Sequence, residues 1–263
     1  MKTTLITGAS SGIGEAFARR LAAAGENLLL VARSEEKLAS VCSELGRAHD
    51  ISAQYVALDL SAEDAAARLF EETERRALRI ETLINNAGFG SMGDFLGHDL
   101  GRELNMIDLN IKALVALSYV YLGPMRARKS GAIINVASTA AFQGVPYMAT
   151  YAATKAFVLS FSEALWDENR SYGIKVMALC PGVTETNFFA AANSERPPMR
   201  VAQTPEQVVE TALRGLKRGK SHVVSGWTNY LMTESERLVP RSIVARVAGK
   251  AMRPKFGNKN SKQ

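Results

Sequence analysis

The amino terminus limits the fold more than any other stretch. Residues 3–7 read as a short apolar strand that runs directly into Gly8-Ala9-Ser10-Ser11-Gly12-Ile13-Gly14. Beyond the turn, Ile13, Phe17 and Leu21 recur four apart, and Gly25 stands where such a helix would stop. A strand, a glycine turn and a helix N-terminus together make a site for a pyrophosphate, because unpaired backbone N–H groups and the helix dipole both favour an anion. Side chains at these positions would block the tight turn, the ligand's approach or the packing of helix on strand. The same residues also fit G-x-S-x-G, the nucleophile elbow of a hydrolase, with Ser10 as nucleophile. That alternative leaves Gly14 unexplained, along with a Tyr–Lys pair further along the chain.

Strand and helix patterns then alternate, as in an α/β chain with a parallel sheet. Residues 27–32 form a continuous apolar run of the doubly covered kind. At its end an acidic residue would bind the adenosine ribose of NAD. This chain instead has Ala32, Arg33 and Ser34, and Arg33 suits a 2′-phosphate, so NADP is expected over NAD. A third strand, 56–58, ends in Asp59-Leu60, where a side chain can hold an adenine amino group, and Ser61 is expected to cap the following helix. Residues 83–84 lead into Asn85-Asn86-Ala87-Gly88, small polar groups at a strand end, where an open sheet presents its crevice. Residues 99–128 read as one long helical region carrying Asn110, whose amide needs partners there.

The chemistry concentrates between Ser138 and Lys155. Ser138 ends an apolar strand, 133–137, and Tyr151 and Lys155 open a helix expected over 150–170. Four residues apart, a phenol and an ammonium share one helix face. A neighbouring cation should draw the tyrosine pKa down from about 10 and make Tyr151 a general acid or base near neutral pH. That helix is apolar almost all round, so its outer face calls for a second subunit. A strand at 174–179 ends in Cys180-Pro181-Gly182-Val183-Thr184-Glu185-Thr186, and the irregular residues 184–203 read as a lid. Pro205–Lys217 follows as a helix and His222–Val224 as a last strand. Phe89, Met92, Phe142, Tyr147, Met148, Phe188, Phe189 and Met199 are candidates to line an apolar pocket.

Composition narrows the class further. Two cysteines, Cys42 and Cys180, fit free thiols in a reducing cytoplasm, and three scattered histidines lack metal-ligand spacing. No uninterrupted run reaches about 18 apolar residues, which argues against a membrane span. The net charge of +6 lies wholly in residues 227–263, where eight Lys or Arg face two Glu; the body before it is neutral and offers no basic surface to nucleic acid. This basic extension is expected to be partly helical, then disordered from Lys255 onward. Around 240–252 it carries a basic amphipathic pattern. Such a helix suits an anionic membrane surface, but with only about three amphipathic turns it is assigned to packing beside the pocket mouth.

Taken together, Thr7 to Gly14, Asn85-Asn86-Ala87-Gly88, Asn110, Ser138, Tyr151 with Lys155, and Pro181-Gly182 followed by Thr186 resemble the short-chain dehydrogenase/reductase family in its single-domain branch, over residues 3–226. The resemblance implies a Rossmann-type doubly wound sheet of about seven parallel strands and an NAD(P)-dependent oxidoreductase of alcohols and carbonyls. It implies that Tyr151 exchanges the proton, Ser138 hydrogen-bonds the substrate oxygen, Lys155 binds the nicotinamide ribose and Asn110 supports a water relay. Gly8, Ser10, Ser11, Gly12, Ile13 and Gly14, with Asn86, Ala87 and Gly88, would hold the dinucleotide. Asp59 and Leu60 would meet the adenine, and Pro181, Gly182, Thr184 and Thr186 the carboxamide side of the nicotinamide. A homodimer or homotetramer is the expected assembly. The competing functions are an NAD-dependent alcohol dehydrogenase of this fold and a dinucleotide- or lipid-binding protein without turnover.

Overall fold

The computed structural model describes residues 1–186, 188 and 202–256. Seven strands form one parallel sheet in the order β3-β2-β1-β4-β5-β6-β7. They are β1 (Lys2–Thr7), β2 (Leu28–Ala32), β3 (Ala53–Ala57), β4 (Arg79–Asn85), β5 (Gly131–Val136), β6 (Ile174–Cys180) and β7 (His222–Val224). Helices α1 (Gly12–Ala22), α2 (Glu35–His49), α3 (Ala65–Arg75), α4 (Leu100–Ile107), α5 (Leu114–Arg128), α6 (Ala149–Asn169) and α7 (Pro205–Lys217) cover its two faces.

Alternation along the strands builds a core on each side. Leu5, Leu29, Leu83 and Ile133 point to the face covered by α3 and α5. Their neighbours Ile6, Leu30, Ile84 and Ile134 point to the face covered by α1, α2 and α7, where Phe17 is fully buried. Only a chain buried on both faces uses a strand such as β2, Leu-Leu-Leu-Val-Ala, with every residue inside. The α7 boundaries match expectation because its start is a capping box: Thr204 Oγ1 accepts from the Gln207 N–H (3.3 Å), and Gln207 Oε1 accepts from the Thr204 N–H (3.1 Å).

Several local expectations need correcting. Ser61 does not cap α3, which begins four residues later; its hydroxyl and N–H both turn back onto Asp59 Oδ1 (2.7 and 3.0 Å). The 99–128 region is not one regular α-helix, since α4 and α5 are joined by a π-helical turn, Asp108–Ala113, centred on Asn110. By length and hydropathy the stretch Leu100–Arg128 is apolar enough to cross a membrane, with a mean hydropathy of 1.3. It is instead a core helix, with Leu114, Leu117, Tyr121 and Met125 buried.

The extension also holds more helix than expected, α8 (Trp227–Glu236) and then α9 (Arg241–Phe256). Lys255 and Phe256, assigned to a disordered end, belong to α9, while 257–263 lie outside the described residues. Most of the expected lid, residue 187 and residues 189–201, is also outside them. Its two ends are joined, with the Glu185 N–H donating to the Gln203 carbonyl (2.9 Å) and the Gln203 N–H to that of Val183 (3.1 Å).

Candidate active site

Strand order reverses between β1 and β4, and in an open parallel sheet the crevice above that point is where ligands sit. Thr7 and Asn86 shape it. Thr7 Oγ1 accepts from the N–H groups of Asn86 (2.9 Å) and Ala87 (3.0 Å), while Asn86 Nδ2 donates to the carbonyls of Thr7 (2.9 Å) and Gly8 (3.2 Å). Asn86 thus spends its amide group on the loop. Gly8 stands at φ +64, and a Cβ there would lie 2.8 Å from Asn86 Nδ2; at Gly14 it would strike the Gly8 carbonyl oxygen. The close approach of these two loops requires glycine at both places.

This cradle fits a dinucleotide. The first N–H groups of α1, at Gly12, Ile13 and Gly14, precede the first helical hydrogen bond, and neither Ser10 nor Ser11 makes a side-chain hydrogen bond among the described residues. All of these donors are available to phosphate oxygens. At the end of β2, Arg33 is exposed and makes no ion pair among the described residues. Its charge helps hold the Asp59 carboxyl below the usual range, chiefly an effect of the two Ser61 hydrogen bonds, so Arg33 and Asp59 flank one end of the crevice. Leu60 is buried beside them. At the other end a Cβ on Gly12 would come within 3.0 Å of Thr186 Cγ2, so the segment after Pro181 and Gly182 crosses the glycine turn. Thr184 is buried there and donates to the Gly182 carbonyl at 3.1 Å.

The structure brings the four expected catalytic side chains together in the wall of the crevice, and all four are buried. Ser138 follows β5, its Oγ accepting from the Ala140 N–H (3.1 Å), and its hydroxyl is near enough to Tyr151 to favour the phenolate. Tyr151 and Lys155 lie in the first two turns of α6, with Lys155 Nζ 5.8 Å from the phenol ring centre. That ammonium donates to the Val136 carbonyl at 2.8 Å. Asn110 Oδ1 accepts from the Phe89 N–H (3.1 Å), and its Nδ2 donates to the Phe89 carbonyl (3.0 Å) and to Thr154 Oγ1 (3.1 Å). Thr154 in turn donates to the Tyr151 carbonyl (2.8 Å). Through the π turn, Asn110 fastens Gly88–Phe89 to the helix that carries Tyr151 and Lys155. Single π turns of this kind recur at functional sites.

The electrostatics run against the expectation of a lowered tyrosine pKa. Burial pushes the Tyr151 phenol up to about 12, with the Ser138 hydroxyl only partly offsetting it. Burial also pushes the Lys155 ammonium down to about 8. Desolvation exceeds the attraction between the two, the ammonium being engaged by the Val136 carbonyl. Tyr151 therefore holds its proton at neutral pH.

Of the pocket candidates, Met92, Met148 and Phe188 pack with Val183 and Met252 in one cluster. The Phe188 ring lies 5.2 Å from that of Tyr151. Phe142 turns away towards Leu114, Val158 and His222, so it belongs to the core. Phe89 lies under the Arg102 guanidinium (5.1 Å). Tyr147 adopts a left-handed backbone, φ +66, and its carbonyl accepts from Gly93 N–H (2.9 Å), tying the loop before α6 to the loop after β4. Phe189 and Met199 lie outside the described residues. Met252 and the α8 residue Asn229, packed on Gly182, were not singled out from the sequence. Asn229 belongs to a helix whose apolar period runs along its exposed face and whose buried face is polar.

Comparison with known proteins agrees with this geometry. The sequence profile described as short chain dehydrogenase matches residues 2–197. The 7beta-hydroxysteroid dehydrogenase of Mediterraneibacter gnavus is 32% identical over 229 residues, covering 86% of each protein. A short-chain dehydrogenase from Sphingobium yanoikuyae, solved in complex with NADPH, superposes with a TM-score of 0.82 at 31% identity, covering 90% of this chain and 94% of that one. The bulky-bulky ketone specific alcohol dehydrogenase from Comamonas testosteroni superposes at 0.78 with 29% identity, covering 90% of this chain and 92% of that one.

The buried ammonium has a consequence for stability. Below pH 8 the folded chain holds Lys155 charged in a desolvated site. Between about pH 8 and 10.4 the unfolded chain keeps a proton that the folded one has released, so this group's contribution to stability rises with pH. Lys155→Met should therefore be more stable than the parent at pH 7, by about 3 kcal/mol, in cofactor-free denaturant titrations. The gap should close as pH rises through 8 to 10; a pH-independent gap would contradict the assignment.

Proposed function

The chain belongs to the short-chain dehydrogenase/reductase family, and from that premise we propose that it is an NADPH-dependent reductase of an apolar ketone, with Tyr151 as the proton donor. It is an oxidoreductase interconverting alcohols and ketones with NAD(P). The observation that carries the finer reading is the burial of Ser138, Tyr151 and Lys155 in one wall of the crevice.

When bound in the crevice, NADPH would supply the hydride for the carbonyl carbon. Tyr151 gives its phenolic proton to the carbonyl oxygen, so the C=O bond becomes CH–OH and the tyrosine is left as phenolate. Ser138 donates a hydrogen bond to that oxygen while negative charge gathers on it, an interaction strongest in the transition state. Lys155 lowers the cost of the phenolate by its charge and would hold the nicotinamide ribose by a hydrogen bond. Solvent then returns the proton to Tyr151. Asn110 acts as a positioning residue, because its amide is committed to Phe89 and Thr154. In this reading Gly8, Gly12 and Gly14 give the phosphates access to the N–H groups of α1, with Ser10 and Ser11 as further donors. Asn86, Ala87 and Gly88 form the facing wall. Asp59 and Leu60 meet the adenine, and Pro181, Gly182, Thr184 and Thr186 the nicotinamide carboxamide. Arg33 pairs with the 2′-phosphate.

The apolar cluster of Met92, Met148, Val183, Phe188 and Met252 beside Tyr151 supports a bulky, largely hydrocarbon ketone. The steroid and bulky-ketone substrates in the names of two relatives point the same way. Leu104, Tyr119 and Phe157 are exposed on α4, α5 and α6, surface that a second copy of the chain would cover. Sedimentation velocity should find a dimer or tetramer; a monomer would remove this part of the reading.

Two variants test the chemistry. Tyr151→Phe should retain NADPH binding by fluorescence titration and lose about a thousandfold or more in ketone reduction, the scale of a missing general acid. Undiminished turnover would take Tyr151 out of the mechanism. Arg33→Asp should raise the Kd for NADPH by about tenfold or more, the size of a lost charge-assisted pair, and leave NADH nearly unchanged. Equal losses for both would refute the 2′-phosphate contact.

A further inference from the structure

The helices after β7 present an inverted surface. On α8 the inward residues are the polar Asn229 and Thr233, whereas Trp227, Tyr230 and Leu231, at i, i+3 and i+4, stand in solvent. Trp227 is 70% exposed and Leu238, just beyond the helix, 88%. On α9, Ile243 and Val247 are likewise outside, sharing one stripe with Arg246 and Lys250 at i, i+3, i+4 and i+7. Gly249 on the opposite face packs on Pro146. Exposed apolar side chains of this size on two successive helices mark an interaction site.

Charge identifies the partner. Arg237, Arg241, Arg246, Lys250 and Arg253 lie on or between the same two helices, and only Arg237 makes an ion pair among the described residues, with Glu234 at 3.4 Å. Glu234 and Glu236 are the only acidic residues from 227 to 256. A second copy meeting the same patch would set these cations against their own equivalents. Nucleic acid would leave the leucines, isoleucine and valine in water.

We propose that α8 and α9 form an interfacial docking surface for an anionic lipid bilayer. Trp227 and Tyr230 suit the headgroup level, Leu231, Leu238, Ile243 and Val247 the acyl boundary, and the arginines and Lys250 the lipid phosphates. The inner face of α9 reaches the site, since Met252 packs with Met92, Met148 and Phe188. Docking therefore sets the apolar pocket beside the lipid phase, from which a hydrocarbon ketone would enter. Only that last step rests on the reductase reading; the docking surface stands without it.

The full chain, incubated with phosphatidylcholine vesicles with and without phosphatidylglycerol, should co-sediment with the anionic ones alone and be released by salt. Its tryptophan emission should shift to the blue on binding, and Trp227→Phe should abolish the shift, because the other tryptophan, Trp166, is held in the protein by Gly219. Ile243→Glu with Val247→Glu, and separately Arg246→Glu with Lys250→Glu, should each weaken vesicle binding by about tenfold or more. These positions are exposed, so thermal melts and turnover of a water-soluble ketone should not change. The proposal is overturned if anionic vesicles bind no better than neutral ones, if the paired variants partition like the parent, or if sedimentation velocity shows that those variants abolish self-association, which would make a second copy the occupant.

Discussion

Everything at the crevice depends on how two diverging strand ends are kept together. β1 and β4 are neighbours whose chains leave in opposite directions, and separation of their ends would destroy the cleft between them. Thr7 and Asn86 prevent it with four hydrogen bonds between the two loops. Because these bonds satisfy backbone groups that neither strand can pair, removing one partner would strand a buried polar group, at a cost of about 1–3 kcal/mol. The glycines at 8 and 14 are consequences of the same tie, since the loops meet too closely for any Cβ.

A second polar chain runs deeper. Asn85 and Asn135 are cross-strand partners, and Asn85 Nδ2 donates to Asn135 Oδ1 (2.9 Å) and to Ser118 Oγ on α5 (3.2 Å). Asn135 Nδ2 reaches Ser162 on α6 at 2.9 Å. Both helices are thereby held to the sheet at a fixed height by directional bonds, which apolar packing alone does not provide. This matters because α6 carries Tyr151 and Lys155, and a slide of one residue would move the phenol away from Ser138. The Asn110–Thr154 link fixes the same helix from the other side.

Much of this was legible from residue order. The strands, the glycine turn and α7 follow from apolar periods and turn chemistry, which are local properties, whereas the grouping of Ser138 with Tyr151 and Lys155 comes from the family resemblance. What the sequence hid was set by tertiary contact. Ser61 has the composition of a cap, but the Asp59 carboxylate two residues earlier takes its hydroxyl. The π turn at Asn110 has no sequence period, and its amide is directed by Phe89 across the cleft. Helix α8 was invisible because its buried face is polar and its exposed face apolar, the reverse of the pattern that marks a helix lying on a core.

The tyrosine pKa shows most plainly why spacing alone misleads. Four residues of separation guarantee that phenol and ammonium share a helix face, but their interaction depends on the dielectric around them and on where the ammonium points. Here both are buried, Lys155 is taken by the Val136 carbonyl, and each group is driven towards its neutral form. The two shifts are therefore signs of one cause. A pocket dry enough to keep the phenol protonated is also dry enough to make the lysine charge costly, so any change that let water or a counter-charge reach one group would move the other as well.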